Sequence, residues 1–186
     1  MCCGKPGRIA FRRSPGTLRG AKGTEMNKEA DILADAGVPE GFEPFPQIEG
    51  FAVHIGPLYW RRSEGGADVG FRVLPHMCNP ARICHGGMMM TAMDMAIGIA
   101  ATFAAKTNKF APSVNLACDF LQPGQLGDWL QSKVDFTFTT KRTGFASGLL
   151  VGSNGPVLRA NGIVKIPSDN DSRFVFRTSP APSLAP

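Results

Sequence analysis

The apolar positions of this chain change period twice. Ala67, Val69, Phe71 and Val73 alternate with Asp68, Gly70 and Arg72, the mark of a half-buried strand. From Met88 to Ala105 the alternation vanishes and a single charge, Asp94, interrupts a run of Met, Ala and Ile. That run predicts one helix from His85 to about Lys106. Beyond it the period returns to two. Val114, Leu116, Cys118 and Phe120 share a face opposite Ser113, Asn115, Ala117 and Asp119, and Val134, Phe136 and Phe138 alternate with Lys133, Asp135, Thr137 and Thr139. Gly144 to Gly152 and Val157 to Ile166 complete the strand set. Turn chemistry falls at Glu64-Gly65-Gly66, Pro123-Gly124, Gly127-Asp128, Thr143-Gly144 and Ser153-Asn154-Gly155. Upstream, residues 27–36 read as a short helix capped by Asn27 and ended by Gly37. Residues 38–50 read as connection, and Phe51 to Ile55 and Leu58 to Arg62 as short strands.

Two or three strands, one long helix and four more strands make an α+β domain, an antiparallel β-sheet wrapped around one central helix. A helix apolar on every side is expected to be buried on every side. The run is long enough to span a bilayer, but Asp94 sits near its middle, where a carboxylate costs about 3 kcal/mol, so a membrane span is not expected.

The chain has 186 residues, room for one domain with a real core. Its net charge of +5 is misleading. Residues 1–25 carry six Lys or Arg against Glu25 alone, and the remaining residues balance at fourteen of each sign. A neutral body gives no case for nucleic-acid binding. Residues 1–25 read as a basic disordered leader, residues 26–44 as helix and connection, 45–166 as the folded domain and 167–186 as a loose tail. The leader lacks an apolar h-region, so the expected location is cytoplasmic; read instead as a transit peptide, it would direct the chain to the mitochondrial matrix. The five cysteines, Cys2, Cys3, Cys78, Cys84 and Cys118, form no CxxC and read as free thiols of a reducing compartment.

Asp94 is the residue that demands an explanation. A buried carboxylate is either a satisfied core group or a functional one. Gly86-Gly87 at the helix start favours the second reading. The first N–H groups of a helix have no internal acceptor, and glycine lets a ligand approach them. Such a tip suits a developing oxyanion. Eight residues separate Gly86 from Asp94, about 12 Å along a helix. A single carbon cannot lie about 3 Å from both. Two antiparallel helices across a two-fold axis remove the conflict, with Gly86 of one subunit facing Asp94 of the other.

Asn79, His85-Gly86-Gly87, Asp94, Ser113-Val114-Asn115, Asp119-Phe120-Leu121-Gln122-Pro123 and Gly127-Asp128-Trp129-Leu130 together resemble the hot-dog-fold acyl-CoA thioesterases of the PaaI-like and thioesterase-superfamily-member-2 type. The resemblance covers about residues 45–166. It implies a hot-dog fold, a homodimer with sites at its interface that pairs into a dimer of dimers, and hydrolysis of a fatty or aromatic acyl-CoA. No cofactor is implied beyond the CoA of the substrate, and neither a membrane nor nucleic acid as partner. In these terms Gly86 N–H would polarise the thioester carbonyl and Asp94 would activate water or attack directly. Asn79 would hold water or carbonyl, His85 would support the loop or the thioester end, and Ser113 would position water near Asp94. Gly87, Lys141, Arg142, Thr143 and Gly144 are the expected CoA contacts.

Other constellations are weaker. His76, Cys78, Cys84 and His85 follow no structural zinc spacing, so no metal is expected. Cys84 beside His85 makes a poor Cys–His nucleophile because adjacent side chains point apart. His54 and His76 receive no role, and the Met stripe reads as core in preference to an acyl pocket. Two other functions fit the same fold: a non-catalytic acyl-CoA-binding protein, and a hot-dog dehydratase using a His/Asp pair.

Overall fold

The computed structural model describes residues 37–46 and 50–174. The leader, the helix expected at 27–36, Cys2, Cys3 and residues 175–186 lie outside them. The described strands form one antiparallel seven-stranded sheet. Its members are β1 (Glu43–Pro44), β2 (Tyr59–Ser63), β3 (Gly66–Arg72), β4 (Ser113–Phe120), β5 (Trp129–Thr139), β6 (Thr143–Gly152) and β7 (Gly155–Lys165), in the spatial order β1-β2-β3-β5-β6-β7-β4. Two helices accompany it, α1 (Phe51–Ile55) and α2 (Gly86–Ala104). The sheet packs on α2 through β3, β5, β6, β7 and β4, the sheet wrapped around one helix expected from the change of period and the hot-dog fold implied by the resemblance.

The core lies between sheet and helix. Val69, Phe71, Leu130, Leu150, Leu158 and Val164 meet Met89, Met93 and Ile97 of α2, all at most 4 % exposed. The helix is not buried all round. Met90, Thr91, Asp94, Met95, Gly98 and Ile99 form a stripe that is only half-buried in the single chain. This apolar helix therefore has one face that the described residues leave only partly covered.

Three local expectations are overturned. Phe51–Ile55 is helix, not strand. β-Type composition makes a strand only where a sheet edge is open to pair with, and the edge of β2 is already taken by Glu43–Pro44. β3 is buried on both faces, not one. Phe42 and Trp129 cover its outer side, their rings 5.1 Å apart edge to face, and Asp68 is paired there with Arg61 at 2.9 Å. Finally, Thr143-Gly144 opens β6; the turn before it is tied by Thr140 Oγ1, which accepts from Thr143 N–H at 3.0 Å. The first part of the tail expected to be loose is held: Phe110 N–H donates to Phe174 O at 2.9 Å, and Asp171 lies 2.8 Å from Arg173.

Two β-bulges re-aim side chains. In β4, Ser113 pairs with Val164 and Asn115 with Ile163, so Val114 is an extra residue. The bulge moves Ser113 to the helix side, with Leu116, Cys118 and Phe120, instead of opposite them. In β5, Val134 pairs with Gly148 and Phe136 with Ser147, so Asp135 is the extra residue. Phe136 and Phe138 thereby leave the face of Val134 and point outward, each 56 % exposed. Strict alternation cannot anticipate a one-residue slip, and each slip reverses the facing of everything on one side of it.

The double-sided burial of β3 makes a sharp demand at Gly70. A Cβ there would stand 2.5 Å from Trp129 Cζ2 and 2.9 Å from Phe42 Cε1. Gly70→Ala is expected to cost about 1–3 kcal/mol by overpacking, read as a lowered urea midpoint with an unchanged slope.

Candidate active site

The site is built where a loop enters α2. Cys78 and Cys84 form an isolated antiparallel bridge that closes the loop between them, and Asn79 shapes its tip. Asn79 Oδ1 accepts from Ala81 N–H at 2.9 Å and Ile83 N–H at 3.4 Å, and Asn79 N–H donates to Ile83 O at 3.0 Å. Its carbonyl oxygen is therefore committed to the loop, and Nδ2 is the end left to face a ligand. Asn79, expected to hold water or carbonyl, acts first as a loop brace.

His85 ends the loop and caps the helix. Its N–H donates to Met77 O at 2.9 Å. Its Nδ1 accepts from Gly87 N–H at 2.9 Å, which places the ring proton on Nε2. Its carbonyl accepts from Met88 N–H at 2.9 Å and Met89 N–H at 3.3 Å. Three of the first four helix donors are thus satisfied by one residue. The fourth, Gly86 N–H, has no acceptor among the described residues. Gly87 N–H, one of the expected CoA contacts, is consumed by the cap.

Phe120 lies over Gly86. A Cβ on Gly86 would sit 2.9 Å from Phe120 Cε1 and 3.1 Å from Cζ. A side chain at position 86 would push the outer edge of that half-exposed ring aside. Phe120 is the residue whose part the sequence hides, because its position in β4 becomes meaningful only once β4 is laid beside the helix tip.

Asp94 projects from the half-buried stripe of α2, and the re-aimed Ser113 meets it. Ser113 Oγ donates to Asp94 Oδ1 at 2.5 Å. This expected pair is brought together, and it is the bulge at Val114 that permits it. Asp94 Oδ2 accepts no hydrogen bond from the described residues. Gly86 and Asp94 belong to one continuous helix, so the separation of about 12 Å along its axis stands.

The residues at the β5–β6 corner lie elsewhere. Lys141 and Arg142 are exposed, and Arg142 is tied through its carbonyl, which accepts from Ile166 N–H at 2.9 Å. Gly144 is buried, and a Cβ there would be 2.9 Å from both Ala101 Cβ and Val164 Cγ2. Gly144 thus serves packing against the C-terminal half of α2 rather than facing a ligand. Ala101 is about 22 Å along the helix from Gly86, so within one chain the corner and the helix tip do not meet.

Cys84 is buried beneath the loop, its N–H donating to Gly124 O at 2.8 Å. Burial, with a smaller contribution from Cys78, pushes its thiol up to about 12. Such a thiol is no nucleophile at neutral pH. It is expected to resist iodoacetamide at pH 8 in the folded chain and to react in urea, followed by mass spectrometry. Because the folded state holds this proton more tightly, its contribution to stability is complete below the ordinary thiol value of 9.0. That contribution is lost as pH rises from there toward about 12.

Comparison with known proteins agrees with this geometry. Residues 82–157 match the thioesterase superfamily model. The provisionally named esterase PA0474 of Pseudomonas aeruginosa is 29 % identical over 131 residues, covering 70 % of this chain and 98 % of the relative. Among solved structures, the E. coli PaaI protein from the phenylacetic acid degradation operon superposes with a TM-score of 0.55 at 22 % identity, over 78 % of this chain and 95 % of that one. A hypothetical thioesterase from Streptococcus pneumoniae, solved with coenzyme A, gives 0.53 at 18 % identity, over 60 % and 86 %. The structural likenesses establish the fold, and the matched segment contains the helix tip, Asp94 and Ser113.

Proposed function

We propose that this hot-dog domain, whose residues 82–157 match the thioesterase superfamily model, is an acyl-CoA thioesterase whose two reacting sites each draw on two subunits. The observation that carries this reading is the single open donor at Gly86, set on the same helix as a carboxylate that it cannot share a carbon with.

The chemistry follows from the parts. The thioester carbonyl oxygen accepts from Gly86 N–H at the positive end of α2, where developing negative charge is stabilised without reorganisation. Asp94 of the partner subunit stands on the far side of the carbon. With Oδ1 fixed by Ser113, Oδ2 is the oxygen free to take a proton from water. The water oxygen adds to the carbonyl carbon, the tetrahedral intermediate collapses, the C–S bond breaks, and the proton returns to the departing CoA sulfur. In an antiparallel helix pair, the β5–β6 corner of the Asp94 subunit would lie nearer the partner's helix tip than its own. There Lys141 and Arg142 suit the CoA phosphates. The apolar stripe of Met90, Met95 and Ile99 beside Asp94 gives the two helices a surface to bury.

The test is release of CoA thiol from a panel of short, medium, long and aromatic acyl-CoAs. Asp94→Asn is expected to lower kcat by roughly 10²–10⁴-fold while the protein stays folded. Gly86→Pro, which removes the open N–H at the first position of the helix, where proline is tolerated, is expected to lower kcat by about 10²-fold or more. Equal thiol release by wild type and Asp94→Asn would leave a non-catalytic binding protein as the better description.

A further inference from the structure

Two of the thiols stand opposite each other across the loop that leads into α2. Cys78 and Cys84 are partners in an antiparallel bridge. Its hydrogen bonds flank the pair instead of joining it: Asn79 N–H donates to Ile83 O at 3.0 Å, and His85 N–H donates to Met77 O at 2.9 Å. The two cysteines therefore occupy a non-hydrogen-bonded position, where facing Cα atoms stand about 4.5 Å apart and both side chains rise from the same face. A disulfide needs Cα atoms about 4.4–6.8 Å apart, so the register alone brings these residues to bonding separation.

The frame around them is tight. Pro80, Ala81 and Arg82 make a three-residue hairpin loop, with Arg82 in the left-handed region at φ 60° as that loop type requires. Arg82 N–H closes it on Asn79 O at 2.9 Å. Cys78 N–H is held by Pro75 O at 3.2 Å, and Cys84 N–H by Gly124 O at 2.8 Å. The sulfurs are not joined. Cys78 Sγ donates to Leu74 O at 3.5 Å and Cys84 Sγ to His85 O at 3.8 Å. Each reaches the other by leaving a weak bond to a carbonyl, a change of rotamer and not of backbone. Their exposure differs: Cys84 is buried, whereas Cys78 is half-buried and is the one that a reagent in solution meets.

We propose that Cys78 and Cys84 form a dithiol site that small-molecule disulfides oxidise to an intrachain disulfide, closing the hairpin at the entrance to α2. Cys78 Sγ, as thiolate, attacks one sulfur of RS–SR; the S–S bond breaks, Cys78 carries SR as a mixed disulfide, and RS⁻ leaves and takes up the Cys78 proton. Cys84 Sγ then attacks Cys78 Sγ, and the second RS⁻ leaves with the Cys84 proton. Two protein thiols are oxidised and one RS–SR is reduced to two RSH. Burial opposes the second step. With its thiol pushed up to about 12, only about one Cys84 in 10⁴ is thiolate at pH 8. That is too few to engage a reagent in solution. A target sulfur held alongside offers an effective concentration on the order of 10⁵ M, which outweighs the deficit. The bond would clamp both ends of the loop that carries Asn79 and ends at His85, whatever reaction the site performs.

Arg82 lies between the two cysteines, so trypsin places them on separate peptides, 73–82 and 83–106. The reduced full-length chain is equilibrated at pH 8 in glutathione buffers of graded ratio, blocked with iodoacetamide in urea and digested without reduction. Mass spectrometry is expected to show 73–82 linked to 83–106, with Cys118 on peptide 110–133 outside the link. The equilibrium constant for closure by oxidised glutathione is expected to be at least tenfold larger in the folded chain than in urea, because only the fold holds the register. Cys78→Ser is expected to leave Cys84 unmodified under the same oxidation. Absence of the linked pair in the folded chain under excess oxidised glutathione, or equal constants with and without urea, overturns the proposal. A glutathione adduct on Cys84 in Cys78→Ser overturns the order of attack.

Discussion

One helix cannot bring its own N-terminal amide and an acid two turns further on to the same atom. That constraint governs this molecule. His85 uses its ring nitrogen and its carbonyl to satisfy Gly87, Met88 and Met89, and so leaves Gly86 N–H as the single open donor of the first turn. Asp94 is held by Ser113 about 12 Å along the same axis. Both positions are fixed by hydrogen bonds, and in the proposed function each would need its counterpart from a second copy. The half-buried stripe of α2 lies between the two halves and offers the surface on which a second copy would supply what is missing.

The surrounding fold exists to hold that helix in place. Five strands pack against α2, and the loop ahead of it is closed by the Cys78–Cys84 bridge, by Asn79 and by the buried Cys84 beneath. These hydrogen bonds fix the backbone at the helix tip, and the outer edge of the Phe120 ring lies over position 86.

Much of this was legible in the sequence. The change of period from two to an unbroken apolar run and back placed the strands and the long helix, and the lone carboxylate with the Gly-Gly pair drew attention to the helix that carries both. What escaped were features decided by tertiary context. The bulges at Val114 and Asp135 insert single residues that no alternation displays, yet the first is what delivers Ser113 to Asp94 and the second is what turns Phe136 and Phe138 outward. Phe51–Ile55 has strand composition but no free edge to join. Gly144 carries a turn residue's identity and a packing residue's role. His54, His76 and His85 span thirty-two positions and come to line one groove only through the packing of α1 and the 3₁₀ turn Pro75–Met77 beside the first turns of α2.

The shared site is tested most directly by mixing two inactive chains. Asp94→Asn retains an intact helix tip, and Gly86→Pro, which lacks the N–H, retains an intact acid. If each reacting centre takes one group from each subunit, a mixed dimer contains one complete site and one doubly defective site. Random pairing of equal amounts by co-refolding then restores about one quarter of wild-type thiol release. A mixture no more active than its two parents would show that Gly86 and Asp94 do not meet across subunits.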